Sequence, residues 1–171
     1  MRRVRYSVAM SLDGYIAGPQ GESDWIVIDP DIDFNALFNA YDTVLLGRKT
    51  YEVTTQGGAG GAMPGIQSYV FSRTLRPEEC QDAIVSDDPQ AIIQDLKSKE
   101  GKDIWLFGGG SLFHSLLEQG LVDSVEVAIM PVLLGGGVPL LPPPANLAKL
   151  TLTRYQVYEK TGTVVLEYAV S

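Results

Sequence analysis

Short apolar runs that stop at turn residues alternate along the chain with stretches of helical period. Val4 to Met10, Asp42 to Leu46, Tyr69 to Phe71, Ala83 to Val85 and Asp103 to Phe107 read as strands, the second and the last of them buried, each followed by serine or glycine. Phe34, Leu37, Phe38 and Tyr41 recur at i, i+3, i+4 and i+7, which predicts a helix with Asp29 as its cap and Pro30 in its first turn. A second helix should start at Arg48. A third opens at Asp88-Pro89 and turns Ile92, Ile93 and Leu96 inward; a fourth carries Leu112, Phe113, Leu116 and Leu117 and stops at Gly120. Val125, Val127 and Ile129 alternate as a strand, and Leu150 to Tyr158 pairs with Thr163 to Val170 through a turn at Lys160 to Gly162. Gln56 to Gly65, rich in glycine, reads as a mobile loop. The pattern is that of one α/β domain over residues 1–171: a mostly parallel central sheet flanked by helices on both faces, closed by an antiparallel C-terminal hairpin.

Ligands of such sheets sit at the carboxyl ends of the strands. Asp13, Arg48, Ser72 and Gly109 each directly follow a predicted strand and so should share one edge. The most pointed stretch is Asp103 to Phe107 running through Gly108, Gly109 and Gly110 into a helix, because a helix start offers free N–H groups and a glycine lets phosphate approach the backbone. It is not the Rossmann fingerprint, since the third glycine position holds Phe113. Gly47 leads into Arg48, Lys49 and Thr50, two cations and a hydroxyl at a second helix start. Asp31 and Asp33 flank the first helical stripe, where a carboxylate complements the helix dipole or projects into a ligand cleft.

Charge and composition narrow the classes. A formal net charge of −8 argues against a general nucleic-acid or anionic-membrane surface. Cys80 is the single cysteine, which excludes an internal disulfide and fits a reducing cytoplasm; its polar surroundings give it no role. The uncharged run from Val127 to Ala148 is broken by prolines and glycines and makes no membrane helix, and the basic start Met1 to Arg5 is not followed by the apolar run of a targeting segment. His114, the single histidine, supports neither a triad nor a zinc site. Trp25 and Trp105 read as core residues, with Trp25 a possible border of the cleft.

Ser7 to Ala17, Leu45 to Glu52, Phe107 to Leu112 and Pro131 to Leu141 occur in order. Together they resemble the dihydrofolate reductase-like family, and within it the stand-alone relatives of the RibD-type C-terminal reductase domain of riboflavin biosynthesis. The resemblance implies a dihydrofolate reductase-type sheet and an oxidoreductase using NADPH. Carried over by position, Val8, Ala9, Ile16 and Ala17 would line the nicotinamide end. Gly47, Arg48, Lys49 and Thr50 would hold the pyrophosphate and the adenosine-side phosphate. Ser72 and Arg73 would lie against the adenine ribose, with Arg73 favouring a 2′-phosphate. Phe107, Gly108, Gly109, Gly110, Ser111 and Leu112 would wrap the pyrophosphate, with a Gly-Gly peptide that is commonly cis in this fold. Asp31 falls where dihydrofolate reductases carry the acid that binds the pterin ring, ahead of Asp33. The threonine that assists that acid is Ala128 here, which together with Pro131 to Leu141 favours the riboflavin branch and 5-amino-6-(5-phosphoribosylamino)uracil as substrate. A deaminase half is not expected, because its zinc signature is missing. The alternatives are a true dihydrofolate reductase and a non-catalytic NADP-binding protein. Self-association, as a homodimer, would use the Pro-rich segment or the closing hairpin.

Overall fold

Successive strand residues point to opposite faces, and in the central strands both sets are apolar, so both faces need covering. The computed structural model describes residues 1–56 and 63–171. The mobile-loop reading of Gln56 to Gly65 falls mainly on residues 57–62, outside the described residues. Strand β1 is Val4–Ser11, β2 Tyr15–Ala17, β3 Tyr41–Gly47, β4 Gln67–Phe71, β5 Ala83–Ser86, β6 Asp103–Gly108, β7 Ser124–Met130, β8 Val138–Pro139, β9 Leu150–Tyr158 and β10 Thr163–Val170. The helices are α1 Phe34–Asn39, α2 Arg48–Gln56, α3 Pro89–Ser98 and α4 Gly110–Glu118. Eight strands form one sheet in the order β5-β4-β3-β6-β1-β7-β10-β9. The first six are parallel; β10 runs antiparallel to β7 and to the edge strand β9.

On one face Val4, Tyr6, Leu45, Ile104, Leu106 and Val125 pack with Ile93 and Leu96 of α3 and Phe113 and Leu116 of α4. Tyr6 stacks on Phe113 with ring centroids 3.9 Å apart. On the other face Val44, Leu46, Val70 and Trp105 meet Tyr51 of α2 and Leu37 of α1. Burying each such side chain contributes on the order of 2 kcal/mol. These helices cover β3, β4 and β6 but stop short of β9, which leaves Leu150, Leu152, Tyr155 and Val157 exposed.

Four expectations are corrected. Helix α1 begins at Phe34 with Asp33, not Asp29, as its cap, the Asp33 carboxylate accepting from Ala36 N at 3.0 Å. Tyr41, counted in the helical stripe, is the first residue of β3. Cys80 is buried in the second core cluster rather than idle in a polar stretch. Trp105 is core, whereas Trp25 is half-exposed and donates its indole N–H to Glu22 O at 2.9 Å. The sequence also gave no hint of the two-stranded β2–β8 pairing, which joins the turn after β1 to the loop after β7.

Candidate active site

Because β3 and β6 are parallel neighbours, α2 and α4 begin side by side at the same edge of the sheet. Leu46 is in register with Gly108. A Cβ added to Gly47 would stand 3.7 Å from Gly108 O, and one on Gly109 would stand 3.3 Å from Thr50 Oγ1. The two turns therefore touch through bare backbone and one hydroxyl. The Gly108–Gly109 peptide is cis, and Gly108 has φ +131°, a conformation that suits glycine. Neither helix has an acidic residue in its first turn, and α4 has Gly109 as its cap with, among the described residues, no side chain bonded to its free N–H groups. Two positive helix ends thus converge without an internal anion to neutralise them.

Toward β4 the rim is cationic. Arg48 donates to Thr74 Oγ1 at 3.0 Å and lies 3.5 Å from the Glu52 carboxylate. Ser72 Oγ accepts from Thr74 N at 3.1 Å and Leu75 N at 3.0 Å, which shapes the turn that presents Arg73. Lys49 and Arg73 are exposed. Ser111 is exposed at the start of α4, while Phe107 and Leu112 are half-buried and pack on opposite core clusters.

Toward β1 the rim is built by Asp13. Its carboxylate accepts from Ser11 Oγ at 2.7 Å, Leu134 N at 3.0 Å and Gly135 N at 2.8 Å. Leu140 N donates to Gly14 O at 3.0 Å, and Gly137 packs against the Ala17 carbonyl. The turn carrying Ile16 and Ala17 is thus fastened to the Pro131–Leu141 segment, an arrangement linking two of the motifs that no local spacing reveals. Ala9 faces the cleft side shared with Trp105, whereas Val8 packs on the α3–α4 core and offers only its backbone to the rim.

The Ser11 hydroxyl and the Leu134 and Gly135 amides hold the Asp13 carboxyl down at about 2. A carboxyl depressed below its unfolded value of about 3.9 stabilises the fold above that value and loses the contribution as pH falls through its folded one. Asp13→Asn is therefore expected to melt below wild type at neutral pH. The gap should close between pH 4 and pH 2, as thermal melts across that range will show.

Asp31, the acid named from the resemblance, stands at the surface with its side chain 58% exposed, and accepts from Lys160 Nζ at 2.8 Å. The buried carboxylate is Asp29, 1% exposed, which accepts from Asp31 N at 2.9 Å and from Thr161 N and Oγ1 at 3.1 and 2.8 Å. Burial pushes the Asp29 carboxyl up; those hydrogen bonds and the nearby Lys160 outweigh it and leave it below its usual value. Asp29 ties the segment before α1 to the β9–β10 turn, a role the sequence reading missed because its partner lies 132 residues away.

Comparison with known proteins follows the same lines. Residues 2–165 match the family described as the RibD C-terminal domain. The chain is 38% identical over 150 residues to the uncharacterised protein YyaP of Bacillus subtilis (strain 168), which covers 81% of this chain and 80% of that one. A solved protein of Shewanella sp. PV-4, named for riboflavin biosynthesis, superposes with TM-score 0.84 at 26% identity over 99% of both chains. The deaminase/5-amino-6-(5-phosphoribosylamino)uracil reductase of Thermotoga maritima shares the fold with TM-score 0.72 at 18% identity, 99% of this chain against 57% of that one. A dihydrofolate reductase of Enterococcus faecalis shares it too, with TM-score 0.70 at 15% identity, covering 99% of this chain and 96% of that one.

Proposed function

Since this chain belongs to the RibD C-terminal domain family, we propose that it is an NADPH-dependent reductase whose substrate is related to 5-amino-6-(5-phosphoribosylamino)uracil. One observation carries the reading: two helix starts meet at Gly47, Gly108 and Gly109, where only Thr50 Oγ1 and Leu112 Cβ approach among the described residues, with no acid in either first turn. Such a junction suits a pyrophosphate. The fit extends outward, where Gly47 to Thr50 and Gly108 to Leu112 would grip the phosphates and Ser72 with Arg73 the adenine-side ribose. Ala9, Ile16 and Ala17 would border the nicotinamide.

NADPH supplies a hydride when bound. The chain's own part is to orient that cofactor against the substrate and to keep the rim rigid, which the Asp13 clasp and the Asp29–Thr161 tie accomplish. Asp31, accessible and paired with Lys160, stands as the candidate to deliver a proton through water.

Titration with NADPH, followed separately from its oxidation with 5-amino-6-(5-phosphoribosylamino)uracil and with dihydrofolate, tests this reading. Binding with turnover of the pyrimidine supports it. Fast turnover of dihydrofolate would reassign the enzyme, and indifference to NADPH would end the proposal. Arg73→Ala is expected to weaken NADPH about tenfold while leaving NADH within twofold, the loss of one exposed charge-assisted contact. Arg48→Ala should weaken both cofactors alike, because its place is by the shared phosphates.

A further inference from the structure

The helices that cover the second face end before β1, β7 and β10, where half-buried Ser7, Glu126 and Glu167 share the face with Ala9, Ala128 and Val165. Cross-strand register sets Ser7 beside Glu126 and Glu126 beside Glu167, with Ala9 beside Ala128 one pleat nearer the rim. The two rows are about 6.6 Å apart along the strands, close to the span of a six-membered ring. Exposed Phe38 and half-buried Phe107 flank the buried Trp105, at 5.8 Å and 5.0 Å between ring centroids, and wall the α1 side.

Below Ala9 lies a set of charges that does not satisfy itself. Arg5 sits 3.6 Å from the Asp103 carboxylate, 3.6 Å from Glu126 and 3.7 Å from Glu167, all too long for hydrogen bonds. Glu126 accepts from Ser7 Oγ at 2.8 Å. Asp103 is also paired with Arg3 at 3.0 Å, so two cations face three carboxylates. Two buried donors in the set have no partner among the described residues: Arg5 Nε and the hydroxyl of Tyr41. Tyr41 is only 2% exposed, and its ring carries the Arg5 guanidinium 5.3 Å from its centroid. Burial pushes its hydroxyl up to about 12; Arg5 opposes that shift, while Glu126, Asp103 and Glu167 add to it, as neighbours of the ring. An orphaned buried donor is costly, and a native fold tolerates it where something else offsets the loss. Arg5, Glu126 and Glu167 are each 12–14% exposed, so the cluster is open to a small molecule.

What meets the open edge of the cluster must offer N–H donors to its surplus carboxylates, on a flat body that fits an aromatic wall. We propose that Glu126, backed by Arg5, Glu167 and Tyr41, binds the cyclic-amide edge of a nitrogen heterocycle in the substrate half of the cleft. This rests on the reductase reading for the position of the cofactor, and it names the side chain that selects the substrate's ring. Asp29 and Asp31 lie beyond the other end of β10, at its turn with β9, and leave that edge to Glu126.

The probes are 5,6-diaminouracil and its 1,3-dimethyl analogue, titrated calorimetrically into the protein with and without saturating NADPH. Wild type should bind diaminouracil, and the dimethyl analogue at least tenfold more weakly. Glu126→Gln should weaken diaminouracil by 10- to 100-fold with NADPH affinity within twofold of wild type. Tyr41→Phe, which removes only the orphaned hydroxyl, should weaken it several-fold without lowering the melting temperature. Equal binding of the two probes, equal binding by Glu126→Gln, or no binding of diaminouracil by NADPH-loaded wild type would each overturn the proposal and leave the cluster to water. Diaminouracil binding that depends on Glu126 in a protein that ignores NADPH would instead sink the reductase reading and keep this one.

Discussion

Replacing Gly137 by alanine is expected to lower the melting temperature by about 10 °C and to abolish measurable NADPH binding, while the same change at Gly136 alters neither. Gly137 has φ +143°, and a Cβ there would overlap the Ala17 carbonyl. No rotamer relieves that overlap, because both partners are backbone. Either the Pro131–Leu141 segment or β2 must shift, which separates β8 from β2 and pulls at the Asp13 clasp. Backbone strain of about 1–3 kcal/mol plus the lost pairing gives about 3 kcal/mol in all. At about 2–4 °C per kcal/mol for a domain of this size, that is the stated shift. Gly136 has open space around an added Cβ, so it reports on the loop's tolerance alone. Differential scanning calorimetry on the two variants decides the matter; equal melting temperatures would mean that the contact is unimportant.

Arg2→Ala should cost about as much, for an electrostatic reason. The Arg2 side chain is 6% exposed, pairs with the Asp42 carboxylate, and donates to Thr43 Oγ1 at 2.7 Å and to Lys102 O at 2.7 Å. Asp42 also accepts from Lys102 N at 2.9 Å, so one guanidinium joins β1, β3 and the approach to β6. Removing one member of a buried pair leaves the other uncompensated and typically costs 3–5 kcal/mol. Asp42 keeps 34% of its side chain in contact with water, which sets the expectation at the lower end, about 3 kcal/mol. Arg2→Lys should recover only part of it, since an ammonium cannot serve the carboxylate, the hydroxyl and the carbonyl in one plane. A urea unfolding midpoint equal to wild type for Arg2→Ala would refute the buried-pair account.

Both effects come from contacts between residues far apart in the chain, and such contacts mark where sequence reasoning stops. Arg2 reads as part of a basic start; it is buried because Asp42 and the Lys102 carbonyl meet it from two other segments. Asp29-Pro30 is a good local helix start, yet Thr161 takes the Asp29 carboxylate and the helix is capped four residues later, by Asp33. Glu126 alternates with Val125 and Val127 as an outward polar residue should. Whether that outward side meets solvent or a cleft depends on how far α1 and α2 extend across the sheet.

The strands, three of the four helix starts and the meeting of Arg48, Ser72 and Gly109 at one edge were legible in the chain itself. Period-two and period-3.6 patterns are local, and parallel strands place all their carboxyl ends together whatever their order. Tertiary structure alone decided which charges are buried, which loop fastens which, and that α1 and α2 stop short of β1, β7 and β10. Those outcomes depend on the approach of segments a hundred residues apart, and pairing over that distance leaves no period in the sequence.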